Sequence, residues 1–251
     1  MSTVKSVGSG DHPVVCLHGW FGSAEGWGYL PEVVDLDRFT YWFPEMRGYG
    51  ARRDEAGAFT MKEYAADALA AADELGLDRF SVVGHSMGGK AAAALLALAG
   101  DRVRALVGVC PVAPAPVPLD DDGKALFFGA PEDDANRRAI IDFTTGGRNS
   151  GAWLEDMVAF SREQSTQDAF AGAVQSWVND DYLAEVGRPD TPIACLVGEN
   201  DPALSAEVMR QSWMQIYPDV TLVELASCGH YPMYETPVWL ATQIEAFLAD
   251  K

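Results

Sequence analysis

The sequence predicts an α/β protein: a mostly parallel sheet of about six or more strands, helices on its flanks, and a helical cap inserted late in the chain. Three observations carry this. Short β-rich runs alternate with longer helical patterns. Most of those runs are apolar throughout, as strands covered on both faces of a parallel sheet are. One stretch, residues 112–188, breaks the rhythm with helical periodicity and aromatics and no convincing strand.

Taken in order, strands are predicted at residues 13–17, 39–43, 80–83, 105–110, 193–197 and 221–225. Between them, helices are predicted at 24–34, 60–75, 87–98, 204–216 and 236–249. Thr60 and Thr236 can cap helix starts, the second followed at once by Pro237 at a first-turn position, while Asp78 and Asp101 mark exits or turns. Pro111, Pro114, Pro116 and Pro118 lead into the 112–188 stretch and Pro189 with Pro192 leads out, rigid punctuation expected where a module is inserted between two strands. The division is therefore a core of residues 1–111 and 189–251 with a cap of 112–188. Four of the cap's aromatics, Phe143, Trp153, Phe160 and Trp177, are the candidate pocket residues facing an apolar ligand.

Composition narrows the function classes. The 251 residues are 48% hydrophobic, enough for a substantial core, and 37 acidic against 18 basic residues leave a net charge of −19. Such a field repels phosphate backbones and anionic headgroups, which argues against nucleic acid and membrane surface as partners. The longest helix-like apolar stretch, residues 91–99, is far short of the roughly 20 residues of a bilayer span. Residues 1–10 lack the apolar region of a secretory signal, so a cytoplasmic location is expected. Cys16, Cys110, Cys195 and Cys228 have no metal-site spacing and are read as small buried hydrophobes, not as a disulfide framework.

Chemistry is written most plainly at Gly84-His85-Ser86-Met87-Gly88, a G-x-S-x-G pentapeptide between a predicted strand and an Ala/Leu helix. That context is a nucleophile elbow, which pushes Ser86 out at the carboxyl edge of the sheet. A serine hydroxyl is a poor nucleophile until a base takes its proton. Of four histidines, His12 lies before the first strand, His18 opens a different motif, and His85 sits inside the elbow with its side chain expected to point away from Ser86. His230, in a loop straight after the last strand, remains. The carboxylate that orients it is assigned to Asp201, after the fifth predicted strand, with Glu199 as the competitor. Two N–H donors must receive the oxyanion: Met87, just after the nucleophile, and Trp20, whose backbone follows Gly19 at the end of the first predicted strand. The Trp20 indole is expected to shape the pocket wall, and His18 to be a structural hydrogen-bonder.

With His18-Gly19-Trp20, residues 44–50 (PEMRGYG), 84–90 (GHSMGGK), 198–201 (GEND) and Gly229-His230 in this order, the sequence resembles the α/β-hydrolase superfamily, in particular its small capped esterases, lactonases and C–C hydrolases. The resemblance implies the α/β-hydrolase fold, a helical lid and no cofactor. Two departures stand out. Family members open with a strand hairpin, so the first strands here look shortened or missing; and position 45 is Glu where Asp is common, in a turn taken as structural.

The leading expectation is a serine esterase acting on a small apolar ester or lactone, as a monomer or homodimer, with perhydrolysis as a conceivable side activity. C–C bond cleavage by the same residues and a hydrolase-fold ligand receptor are the alternatives.

Overall fold

The computed structural model describes residues 4–187 and 190–251. Its strands are β1 (Lys5–Gly8), β2 (His12–Leu17), β3 (Phe39–Phe43), β4 (Phe80–His85), β5 (Val103–Val109), β6 (Ile193–Gly198) and β7 (Val220–Leu225), in one sheet of order β1-β3-β2-β4-β5-β6-β7. All neighbours run parallel except β1, which pairs antiparallel with β3 from Lys5 opposite Phe43 to Gly8 opposite Thr40. Every residue of β4 and β6 is buried, as both-faces-covered strands require, whereas edge strand β1 alternates half-buried with exposed. That edge pattern agrees with the expectation of shortened opening strands: among the described residues one strand of four residues, half-buried on one face and with a single strongly apolar member, Val7, precedes β2.

The helices flanking the first half of the sheet are α1 (Leu30–Val33), α2 (Met61–Glu74) and α3 (Met87–Ala99). Between β5 and β6 come α4 (Asp121–Gly129), α5 (Asp134–Thr144), α6 (Gly151–Gln164), α7 (Gln167–Asn179) and α8 (Leu183–Val186), and this segment contributes no strand to the sheet among the described residues. The predicted exit of that segment at residues 188 and 189 lies outside the described residues. Then follow α9 (Ala206–Gln211), α10 (Trp213–Ile216), α11 (Pro232–Glu235) and α12 (Pro237–Leu248).

Local chemistry sets these ends. The Thr60 hydroxyl accepts from the Glu63 N–H and starts α2, a side-chain cap that satisfies one of the orphan helix donors. Thr236 occupies the corresponding position before α12, but its side chain makes no capping bond. The predicted helix at 24–34 shrinks to α1, because tight turns close Gly22 onto Gly19 and Gly26 onto Ser23, and Gly28 has φ +52°, where a Cβ would lie 2.5 Å from the Met233 carbonyl oxygen. The predicted helix at 204–216 breaks at Ser212, whose hydroxyl turns back to the Val208 carbonyl at 2.6 Å. Glu45 confirms the structural reading of its turn: its buried carboxylate accepts the Ala24 N–H at 3.1 Å, and burial pushes it up to about 7. All four cysteines are free and buried.

Candidate active site

The strand order reverses between β2 and β4. After β2 the chain turns to β3 on one side, and after β4 it proceeds to β5 on the other, so the loops at the two carboxyl ends part and leave a crevice. Ser86 stands there with φ 54° and ψ −118°, a region L-residues rarely adopt and which costs about 1–3 kcal/mol. Surrounding bonds fix it: its N–H donates to the Val109 carbonyl at 3.0 Å, and its own carbonyl accepts from Gly89 and Val112, both at 2.9 Å. The pentapeptide glycines are needed for clearance. A Cβ on Gly84 would meet the Gly88 carbonyl oxygen at 2.3 Å, and one on Gly88 the Leu17 carbonyl oxygen at 2.2 Å.

Loops after β6 and β7 bring Asp201 and His230 together. His230 Nδ1 lies 2.6 Å from Asp201 Oδ2, and both residues are buried. The other carboxylate oxygen accepts the N–H groups of Ala203 and Leu204 at 2.9 and 3.1 Å, so Asp201 is held at both ends. Because the carboxylate accepts from Nδ1–H, Nε2 is left free to take a proton. The competitor Glu199 is exposed and accepts the Ser227 N–H instead. The His230 backbone is pinned on both sides, its N–H donating to the Thr144 carbonyl at 3.1 Å and its carbonyl accepting from His85 Nε2 at 2.9 Å. Among the described residues Ser86 Oγ makes no hydrogen bond, to His230 or otherwise; such contacts in unliganded sites commonly tighten only with substrate.

His85 corrects the sequence reading. Its ring does not turn away from the site: it lines the same cavity as Ser86 and His230 and packs 5.0 Å from the His230 ring. Gly19 makes the room, since a Cβ there would lie 2.6 Å from His85 Nδ1. Burial lowers the imidazole to about 3, which keeps it neutral beside the His230 ring. His18 is the expected hydrogen-bonder: its Nδ1 donates to the Gly19 carbonyl, its Nε2 accepts the Met46 N–H, and burial lowers it to about 4.

Met87 follows Ser86 at the first turn of α3, Trp20 lines the same cavity as Ser86, and neither backbone N–H donates to a protein acceptor among the described residues. The Trp20 indole stacks on Phe170 at 4.2 Å, donates to its carbonyl at 2.8 Å and lines the cavity.

That cavity, about 690 Å³, lies between the sheet edge and the 112–188 segment. Of the four candidate pocket aromatics, Phe143 and Trp177 line it, Phe143 at the exposed rim. Trp153 and Phe160 do not, and are corrected: Trp153 packs edge-on against Tyr231 and Tyr234, and Phe160 fills space beside Gly26. Sequence reading missed Phe127, Leu204, Val208 and Tyr231, which do line it. Period alone shows that a helix has an apolar face, but not which neighbour that face meets.

Cys110 Sγ, Asp201 and His230 place ligand atoms within 4.8 Å of one another. The thiol, however, is pushed well above its usual range by burial, and a metal needs the thiolate, while the imidazole and carboxylate already bond each other.

A family model described as the alpha/beta hydrolase family matches residues 14–243. The chain is 27% identical over 255 residues to esterase YbfF of Escherichia coli, covering 95% of this chain and 93% of that protein. It is 29% identical over 252 residues to a pimeloyl-(acyl-carrier protein) methyl ester esterase of Nitrosomonas europaea, covering 93% and 94%. In fold it is similar to a hydrolase from Oleispira antarctica, with a TM-score of 0.86 at 17% identity over 99% of this chain and 94% of that one.

Proposed function

The chain belongs to the α/β hydrolase family, and on that premise we propose that it is a serine hydrolase that cleaves a small carboxylic ester or lactone through an acyl-enzyme. The observation that carries the reading is the 2.6 Å bond between His230 Nδ1 and Asp201 Oδ2 in the wall of the cavity that Ser86 also lines. Similarity to two esterases supports the ester bond as the target.

In the proposed reaction Ser86 Oγ attacks the carbonyl carbon as His230 Nε2 takes its proton, and Asp201 stabilises the imidazolium. The carbonyl oxygen, now negative, is received by the N–H groups of Trp20 and Met87. Collapse expels the alcohol, protonated by His230, and leaves an acyl-Ser86 ester. Water then repeats the sequence, with His230 as base, and frees the acid. The strained backbone at Ser86 serves this by presenting Oγ to the cavity without reorganisation. The 112–188 segment acts as a lid over the acyl group, and no step calls on a cofactor.

A fluorophosphonate probe followed by mass spectrometry tests the assignment. Labelling of Ser86, together with turnover of a p-nitrophenyl ester panel, is the expected result. A label on another residue, or none, would overturn it. Parallel assay of a vinylogous diketone separates C–C cleavage, which would show the higher kcat/KM on that substrate. A receptor would show a single slow turnover with a large ligand-induced rise in Tm.

A further inference from the structure

The cavity above Ser86 is unusual for this chain in one respect. Charged residues make up 22% of the sequence, yet among the described residues no Asp, Glu, Lys or Arg side chain lines it. The other large cavity, about 580 Å³ beside β1 and β3, is lined by Lys5, Arg52, Glu45, Glu55 and Asp67, so charge-free lining is not a general property of the molecule.

The buried cations nearest the site are already committed. Lys90, four residues after Ser86 and fully buried, donates its ammonium to the carbonyls of Ala115, Trp177 and Asp180. Arg137 donates to the Ala130 carbonyl and the Ser161 hydroxyl, with its guanidinium 3.6 Å from the Phe170 ring centroid. His85 is held neutral by burial. Of the backbone donors near the relay, those of Ala203 and Leu204 serve Asp201, and those of Trp20 and Met87 are the ones the proposed reaction assigns to the ester carbonyl. An anionic group carried into this cavity would give up its hydration and find no counter-charge, with the Asp201 carboxylate close by and a net charge of −19 around it.

From this lining we infer that the site selects uncharged substrates, esters with an apolar acyl arm longer than acetyl, and rejects those bearing a second, ionised carboxylate, such as half-esters of dicarboxylic acids or dienoic acids. The polar side chains that line it besides Ser86 and the two histidines include Thr144, Ser212, Tyr231, Gln211 and Gln215, all neutral, with the two glutamines at the exposed rim. They can meet a carbonyl or hydroxyl, but not pay for a buried charge. For turnover the inference rests on the serine hydrolase reading; for binding it does not.

The test compares chains of equal length. Wild-type kcat/KM is measured on p-nitrophenyl octanoate, on the p-nitrophenyl half-ester of suberic acid, and on that half-ester with its free carboxyl methylated. The acid should be slower by about 100-fold or more, and methylation should restore it. Ser86→Ala is titrated in parallel with methyl octanoate and with octanoate, followed by tryptophan fluorescence, and the neutral ligand should bind about 100-fold more tightly. Val208→Lys, which puts a cation in the lining, should narrow the gap in both assays. Equal kcat/KM or equal binding for neutral and anionic ligands overturns the inference. Absence of any ester turnover while the binding preference persists would bring down the hydrolase reading and leave charge selection standing.

Discussion

The crevice between β2 and β4 and the helical segment over it are held by different means. In the crevice, position is set by backbone. Gly19, Gly84 and Gly88 have neighbours closer than 3 Å to where a Cβ would be, and Ser86 is locked by three main-chain hydrogen bonds. In the helical segment, position is set by side chains: the Trp20–Phe170 stack, Arg137 over Phe170, and the Lys90 ammonium reaching three carbonyls. The atoms around Ser86 are thus fixed by groups every residue shares, with the Asp201–His230 bond as the side-chain exception, and atoms that would choose a substrate by groups a substitution can exchange. Activity should be brittle in the first region and tunable in the second.

Ser86→Ala is the sharpest break. Turnover should fall about 10⁴-fold or more while Tm holds, since the backbone bonds do not involve Oγ. A folded variant with most of its esterase activity would end the assignment. Gly88→Ala should cost about 3 kcal/mol in urea unfolding and take activity with it, because the added methyl meets main-chain oxygen that has no free rotor to move aside. Lys90→Met should cost about 2 kcal/mol by leaving buried carbonyls unpaired. Faster hydrogen exchange should appear in α7 and the 111–118 approach, with the crevice unchanged; if exchange rises equally everywhere, the two regions are not separable.

Acid sharpens the comparison differently. Burial holds His12 and His18 down to about 4 and His85 to about 3, while each titrates near 6.5 once exposed. Below about 6.5 the unfolded chain therefore binds more protons, and stability present above that pH is lost as it falls towards 4. Glu45, raised to about 7, runs the opposite way, adding stability as pH drops below 7. Glu245, also raised by burial, adds to that opposition, and three groups against two leave Tm falling between pH 6.5 and 4.5, which a flat profile would contradict. His85→Gln should reduce the slope. The smallest effect is Phe143→Ala at the rim: stability within about 0.5 kcal/mol and a few-fold rise in KM for long acyl chains, read from a chain-length series.

β4 and β6 were legible because strands buried on both faces are nearly all apolar, and edge strand β7 because four of its six residues are Val or Leu; β1 was not, with four residues and Val7 alone strongly apolar. The meeting of Asp201 with His230 could be read because each follows a strand directly, and strands in one sheet end at one edge. Pocket residues were half legible. Trp153 and Trp177 sit on equally periodic helices, and only the packing of α6 against α11 and of α7 against Trp20 decides which ring sees the cavity. His85 was misread because the space that admits its ring comes from a glycine sixty-odd residues earlier, a pairing no local window contains.

Phe143 and Thr144 are consecutive at the end of α5. One presents its ring at the doorway, and the other's carbonyl grips the amide of His230. A substitution that shifts the end of α5 should therefore be felt in two places, at the rim through the ring and at the His230 loop through one peptide link.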